Sequence, residues 1–197
     1  TMSTFNSGGV SRKVYQKAVS FTGAGGASLM GEYYISLPDN YSMTTPYKIS
    51  YGMGGFTRSG IDCLYGDCWG LGPAGHMSGA ITVFMTQIHP GALHTPPNPN
   101  DGKTVYVSTG WELGDELTNN LAFFKALQAE VNSKFCVDQK HVFVAAGSSG
   151  GDMAQYLGWW LGDQLRGIAS GGGCMPNTLA PAAGKAALDP TTSAPYP

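Results

Sequence analysis

The sequence predicts an α/β domain: a mostly parallel sheet with helices on both faces. Two runs and the segment between them carry this. Ala80–Ile88 is an apolar, β-branched run of the kind found in strands buried on both faces, and His141–Ala146 is a second. Between them, Thr118–Phe135 places Leu121, Phe124, Leu127, Ala129 and Val131 at helical spacing. From residue 80 onward strands and helices alternate, which argues for crossover connections and parallel pairing.

The elements follow in order. Residues 1–12 are rich in Ser, Gly and Thr and read as a lead-in arm. Tyr15–Phe21 and Tyr33–Leu37 alternate as strands do. Leu37-Pro38-Asp39-Asn40-Tyr41 is a turn, and Tyr47–Met53 is a strand running into Gly54-Gly55. Residues 89–103 hold four Pro and two Gly and read as a loop. Asn119 or Asn120 is placed to cap the helix that follows. Asp152–Trp160 is a second helix and Arg166–Ser170 a short strand. The α/β domain thus spans residues 13–174. Residues 175–197 form a Pro/Ala-rich segment.

The composition excludes several classes of function. Charged residues make up 12% of the 197 and the formal net charge is -2, with no Lys/Arg run, so neither a nucleic-acid footprint nor a polybasic membrane patch is present. The apolar runs are too short to span a bilayer. The sparse charge, 29 Gly and 10 Tyr read as a secreted protein. Four cysteines, Cys63, Cys68, Cys136 and Cys174, read as disulfide-forming, with Cys63 and Cys68 bracketing a short Gly-containing loop. A zinc site would need two close Cys/His pairs, so no metal and no cofactor is expected.

The chemistry is carried by Gly147-Ser148-Ser149-Gly150-Gly151, which fits Gly-x-Ser-x-Gly with Ser149 at its centre. It follows a buried strand and precedes a helix, the context of a nucleophile elbow, whose serine sits on a strained turn. Ser149 is the expected nucleophile and Ser148 is out of register. Gly150, next along, would give one oxyanion N–H. Gly54-Gly55, after an earlier strand, would give the other.

With these residues in hand, the chain resembles the secreted feruloyl esterase, acetylxylan esterase and polyhydroxybutyrate depolymerase group of α/β-hydrolases. The likeness rests on Glu32–Tyr41, on Pro46–Ile49 with Tyr51-Gly52, on Phe135–Asp138 and on Val142–Gly151. It implies the α/β-hydrolase fold and a serine carboxylic ester hydrolase acting through an acyl-enzyme on a polysaccharide or polyester. Feruloyl or acetyl esters of plant polysaccharide are the first expectation. A polyhydroxyalkanoate depolymerase and a non-catalytic binding protein of the same fold are the alternatives. The family's Cys in the helix after the elbow is absent near Trp159, so the partner of Cys136 stays open, with Cys174 the remaining candidate.

The triad of this fold runs Ser, acid, His, yet His76, His89, His94 and His141 all precede Ser149. The resemblance therefore implies that the acid, the His and the last strands lie on a downstream segment or a second chain. His141 reads as structural, and Asp152 and Asp163 as helix-face residues. His89 and His94 follow a strand's carboxyl end and are the rescue candidates for the base. Trp69, Trp111, Tyr65 and Tyr106 are candidates for an aromatic sugar- or phenol-binding surface, though each is more often packing.

Overall fold

The computed structural model describes residues 2–7, 10–56, 58–66, 79–88, 93–94, 105–106, 111 and 118–173. The strands are β1 (Met2–Ser7), β2 (Val10–Thr22), β3 (Ser28–Ser36), β4 (Tyr47–Met53), β5 (Ala80–Met85), β6 (Leu93–His94), β7 (Val105–Tyr106), β8 (Val137–Gly147) and β9 (Gly167–Gly171). The helices are α1 (Gly60–Gly66), α2 (Asn119–Lys134) and α3 (Ser149–Leu161). The main sheet has the order β1-β2-β3-β5-β4-β8-β9, and β6 pairs with β7 apart from it. β1, β2 and β3 run antiparallel to their neighbours, while β5, β4, β8 and β9 are parallel. The expected mostly parallel sheet is found.

Period-two alternation sorts the strand side chains onto two faces. Ile49, Tyr51 and Met53 of β4, Ile81, Val83 and Met85 of β5, and Val142, Val144 and Ala146 of β8 join one core. Leu121, Phe124, Leu127 and Val131 of α2 and Met153, Tyr156 and Leu157 of α3 pack on that face. Phe84 and Ala145 point the other way, where they meet Cys63 and Leu64 of α1. β5 is buried along its whole length, Thr82 included, as a strand covered on both faces is. Each such Ile, Val or Phe contributes about 1.5–3 kcal/mol.

The register fixes where the parallel strands end. Met85 pairs with Met53, Met53 with Ala146, and Ala146 with Ser170, so four strands stop at one carboxyl edge. From β4 the chain crosses through α1 to β5. It then returns past β4 to β8, with α2 on the opposite face. This reversal makes the β4/β8 boundary the switch point, where such sheets hold their ligands.

Several expectations change. Residues 2–7, read as part of a lead-in arm, form β1, which pairs with β2 from Met2↔Tyr15 to Ser7↔Val10. Cys63 lies in α1 rather than beside a loop; at seven residues that helix is too short to show a usable periodicity. The cap of α2 is Thr118, whose Oγ1 accepts the Leu121 N–H at 3.2 Å. The two Asn are buried instead and bridge to other segments: Asn119 Oδ1 accepts the Ala24 N–H, and Asn120 binds both backbone groups of Ile88.

Cys63 is disulfide-bonded, while Cys68 lies outside the described residues. Cys136 is a free, half-buried thiol, against the expectation of a disulfide there. The geometry gives the reason. Cys136 stands just before β8 at the amino edge of the sheet, where no other cysteine lies among the described residues. Cys174 and residues 175–197 lie outside the described residues.

Candidate active site

β8 and α3 meet at a sharp turn, and the residue at its apex is Ser148. Its φ of 53° and ψ of −132° make it the one described non-glycine residue with positive φ. That region is sparsely populated for a residue with a Cβ and persists only where the surroundings hold it. Here the Ser148 N–H donates to the Gly171 carbonyl at 2.7 Å, and its own carbonyl accepts the Gly151 N–H at 2.8 Å. Ser148 is exposed and its hydroxyl makes no capping bond to the helix.

Ser149, the expected nucleophile, is the first residue of α3, and its Oγ is buried with no hydrogen-bond partner among the described residues. The apex of the turn lies one residue before the central serine of the Gly147–Gly151 motif. Ala146-Gly147-Ser148-Ser149-Gly150 is also a small-x-Ser-x-small pattern, and the fold uses that one. Its outer positions are tight, as Gly151 one residue further on is too. Ala146 is fully buried, and a Cβ on Gly150 would lie 2.4 Å from the Gly54 carbonyl oxygen and 2.6 Å from that of Met53. Ser149, not Gly150, thus follows the apex. As the first residue of the helix it has no acceptor one turn back for its N–H. The helix N-terminus adds partial positive charge at the same place.

The Gly54-Gly55 turn reaches this apex. A Cβ on Gly55 would lie 3.0 Å from Ser148 Cβ and 3.4 Å from Ser148 Oγ. Two buried side chains hold the turn, Gln87, which no motif marks, and Trp111. Trp111 Nε1 donates to the Gly54 carbonyl and Gln87 Nε2 to the Gly55 carbonyl, each at 2.7 Å. Trp111, one of the aromatics considered for a binding surface, is therefore part of the wall behind the turn. Side chains of Tyr65 and Tyr106, and all of Trp69, lie outside the described residues.

His141 Nδ1 donates to Asp138 Oδ2 at 2.6 Å near the start of β8, a strand's length from Ser148. It is structural there, as expected. The bond from His141 holds the Asp138 carboxyl below its usual range, helped by the Lys140 N–H. Asp152 lies in the first turn of α3 and Asp163 in the short 3-10 turn after it. His76, His89 and the His94 side chain lie outside the described residues, so no base for Ser148 is found among those described. Among the described residues there is also no cluster of His, Cys, Asp and Glu that could hold a metal ion.

No family model matches the sequence. No curated protein matches it either. Solved structures do match in fold. A ferulic acid esterase from the anaerobic fungus Anaeromyces mucronatus is 14% identical with a TM-score of 0.52, over 84% of this chain and 61% of that one. An acetyl xylan esterase from Aspergillus awamori is 17% identical with a TM-score of 0.50, over 78% of this chain and 50% of its own. An S-formylglutathione hydrolase from Agrobacterium tumefaciens is 12% identical with a TM-score of 0.52, over 85% of this chain and 60% of its own. The chain spans about half to three fifths of the length of the structures it matches. With the strand order, the parallel core and the strand–Ser148–helix elbow, these likenesses identify the fold of the chain as that of the α/β-hydrolases.

Proposed function

We propose that this chain supplies the nucleophile and oxyanion site of a serine carboxylic ester hydrolase, with Ser148 as the nucleophile. The observation that carries the reading is the strained, exposed apex at Ser148 with the Gly55 turn against its hydroxyl. Ser148 Oγ attacks the ester carbonyl carbon as its proton passes to a base outside the described residues. The tetrahedral oxyanion is met by the Ser149 N–H at the helix N-terminus and by an N–H of the 54–56 turn. Collapse expels the alcohol and leaves the acyl group on Ser148, and water then releases the acid.

For the substrate, we favour a feruloyl or acetyl ester carried by plant polysaccharide, hydrolysed by a secreted enzyme. The fold-level likeness to a ferulic acid esterase and an acetyl xylan esterase supports this. So does Phe56, an aromatic side chain 61% exposed in the turn that faces Ser148.

Turnover of p-nitrophenyl acetate by the full protein tests the reading. Ser148→Ala should lower kcat by at least about 10³-fold, while Ser149→Ala should stay within about tenfold of wild type, since its hydroxyl is buried away from the reaction. Loss of activity in Ser149→Ala alone would restore the register first expected from the sequence. No turnover in wild type on any ester would favour a non-catalytic binding protein.

A further inference from the structure

The two side chains behind the 54–56 turn belong to no motif, yet their placement is specific. Trp111 is 7% exposed and Gln87 fully buried, and each gives an N–H donor to a carbonyl of the turn, at Gly54 and Gly55 respectively. In a trans peptide the C=O and the following N–H point in opposite directions. Drawing the Gly54 carbonyl into the core therefore turns the Gly55 N–H outward. Drawing in the Gly55 carbonyl turns the Phe56 N–H outward in the same way. Exposed Ser148 stands beside Gly55, its side chain against that residue, while the Gly54 carbonyl faces buried Gly150. Among the described residues neither N–H has an acceptor.

Gln87 is itself fixed from both sides. The Thr86 N–H donates to the Glu32 carbonyl at 3.1 Å, and Thr86 Oγ1 accepts the Gly60 N–H at 2.9 Å. On the other side the Ile88 N–H donates to Asn120 Oδ1 at 2.9 Å, and the Ile88 carbonyl accepts from Asn120 Nδ2 at 3.1 Å. The backbone that carries Gln87 is therefore held on both sides, and burial confines its side chain. If the two peptides flipped, two buried donors would be orphaned at the full cost of their desolvation. The turn is thus held in one orientation before any substrate arrives, which is what electrostatic stabilisation of a developing charge requires.

We infer that Trp111 and Gln87 are positioning residues for ester hydrolysis, locking the 54–56 turn with its N–H groups toward the oxyanion that forms on Ser148. This rests on Ser148 being the nucleophile and adds how its oxyanion site is held. The test uses Trp111→Phe and Gln87→Met in the full protein. Both keep the bulk of the side chain and remove the donor, and if one fails to fold the other decides. Sites competent to react are counted by end-point fluorophosphonate labelling, so that kcat on p-nitrophenyl acetate is expressed per labelled site. Outright removal of an oxyanion donor costs about 10²–10³-fold in kcat, and a donor left in place but swung away should cost about 10- to 100-fold. KM should change less than threefold. Inhibition by phenylboronic acid, which forms a tetrahedral adduct on the serine, should weaken by the same factor as kcat, while inhibition by the product acid stays unchanged. A kcat per labelled site within threefold of wild type in the folded variants overturns the inference, and so does a raised KM with kcat intact. Full turnover in Ser148→Ala would instead sink the reading on which the inference rests.

Discussion

Ser148 and Ser149 are adjacent and chemically identical, and backbone geometry alone gives them different surroundings, the first exposed at the apex and the second with its Oγ buried. The apex conformation of Ser148 costs about 1–3 kcal/mol and is held by its bond to Gly171. The glycine two residues on, Gly150, leaves room for the Gly54 carbonyl. Gly150→Ala should therefore force backbone apart, destabilising the protein by about 1–3 kcal/mol and depressing turnover with it. Gly162→Ala is the contrast: its φ is −59° and no described residue lies within 4 Å of the added carbon, so it should stabilise by about 0.4–1 kcal/mol. Urea midpoints of the two variants check both signs. Phe56→Ala should raise KM for methyl ferulate by about 3- to 10-fold, the worth of one aromatic contact, and leave p-nitrophenyl acetate unaffected. Equal effects on both esters would remove Phe56 from acyl recognition.

At the scale of elements, the buried strands and the amphipathic helix were legible because their side-chain pattern is local. β4 was read with its observed bounds, Tyr47–Met53, and α2 differs from its reading by one residue at each end. The cap was misassigned because Thr, Asn and Asn in a row are all good caps; long-range bonds to Ala24 and Ile88 recruit the two Asn elsewhere. Thr118→Ala should cost about 1 kcal/mol, read as a fall in the urea midpoint. The pair at the start of β8 gives a pH dependence. Asp138 has a depressed pKa in the folded state, so its contribution is present above the unfolded value of about 3.9 and is lost as pH falls through the lower folded value. The difference in unfolding midpoint between wild type and Asp138→Asn should thus be open at pH 6 and close below about pH 4. A difference that is the same at pH 3 and pH 6 would mean the pair contributes nothing to acid sensitivity.

For the whole molecule, the strand reversal brings the ends of β4 and β8 together, and with them segments about a hundred residues apart in the chain. The existence of an elbow, and of a glycine turn facing it, could be read from strand–motif–helix order alone. The register of the elbow could not, because Ala146-Gly147-Ser148-Ser149-Gly150-Gly151 satisfies the small-x-Ser-x-small pattern twice. Gln87 and Trp111 were also out of reach. They act on backbone carbonyls 32 and 57 residues away, and no local pattern marks a side chain that binds main chain at such a distance. The measurement that bears most directly on the account is the position of a fluorophosphonate adduct on the full protein. Trypsin releases His141–Arg166 as one peptide carrying both serines, and fragmentation of its backbone resolves them. The adduct should sit on Ser148 alone. An adduct on Ser149, or on a serine outside this peptide, would contradict the assignment of the apex as the reactive centre.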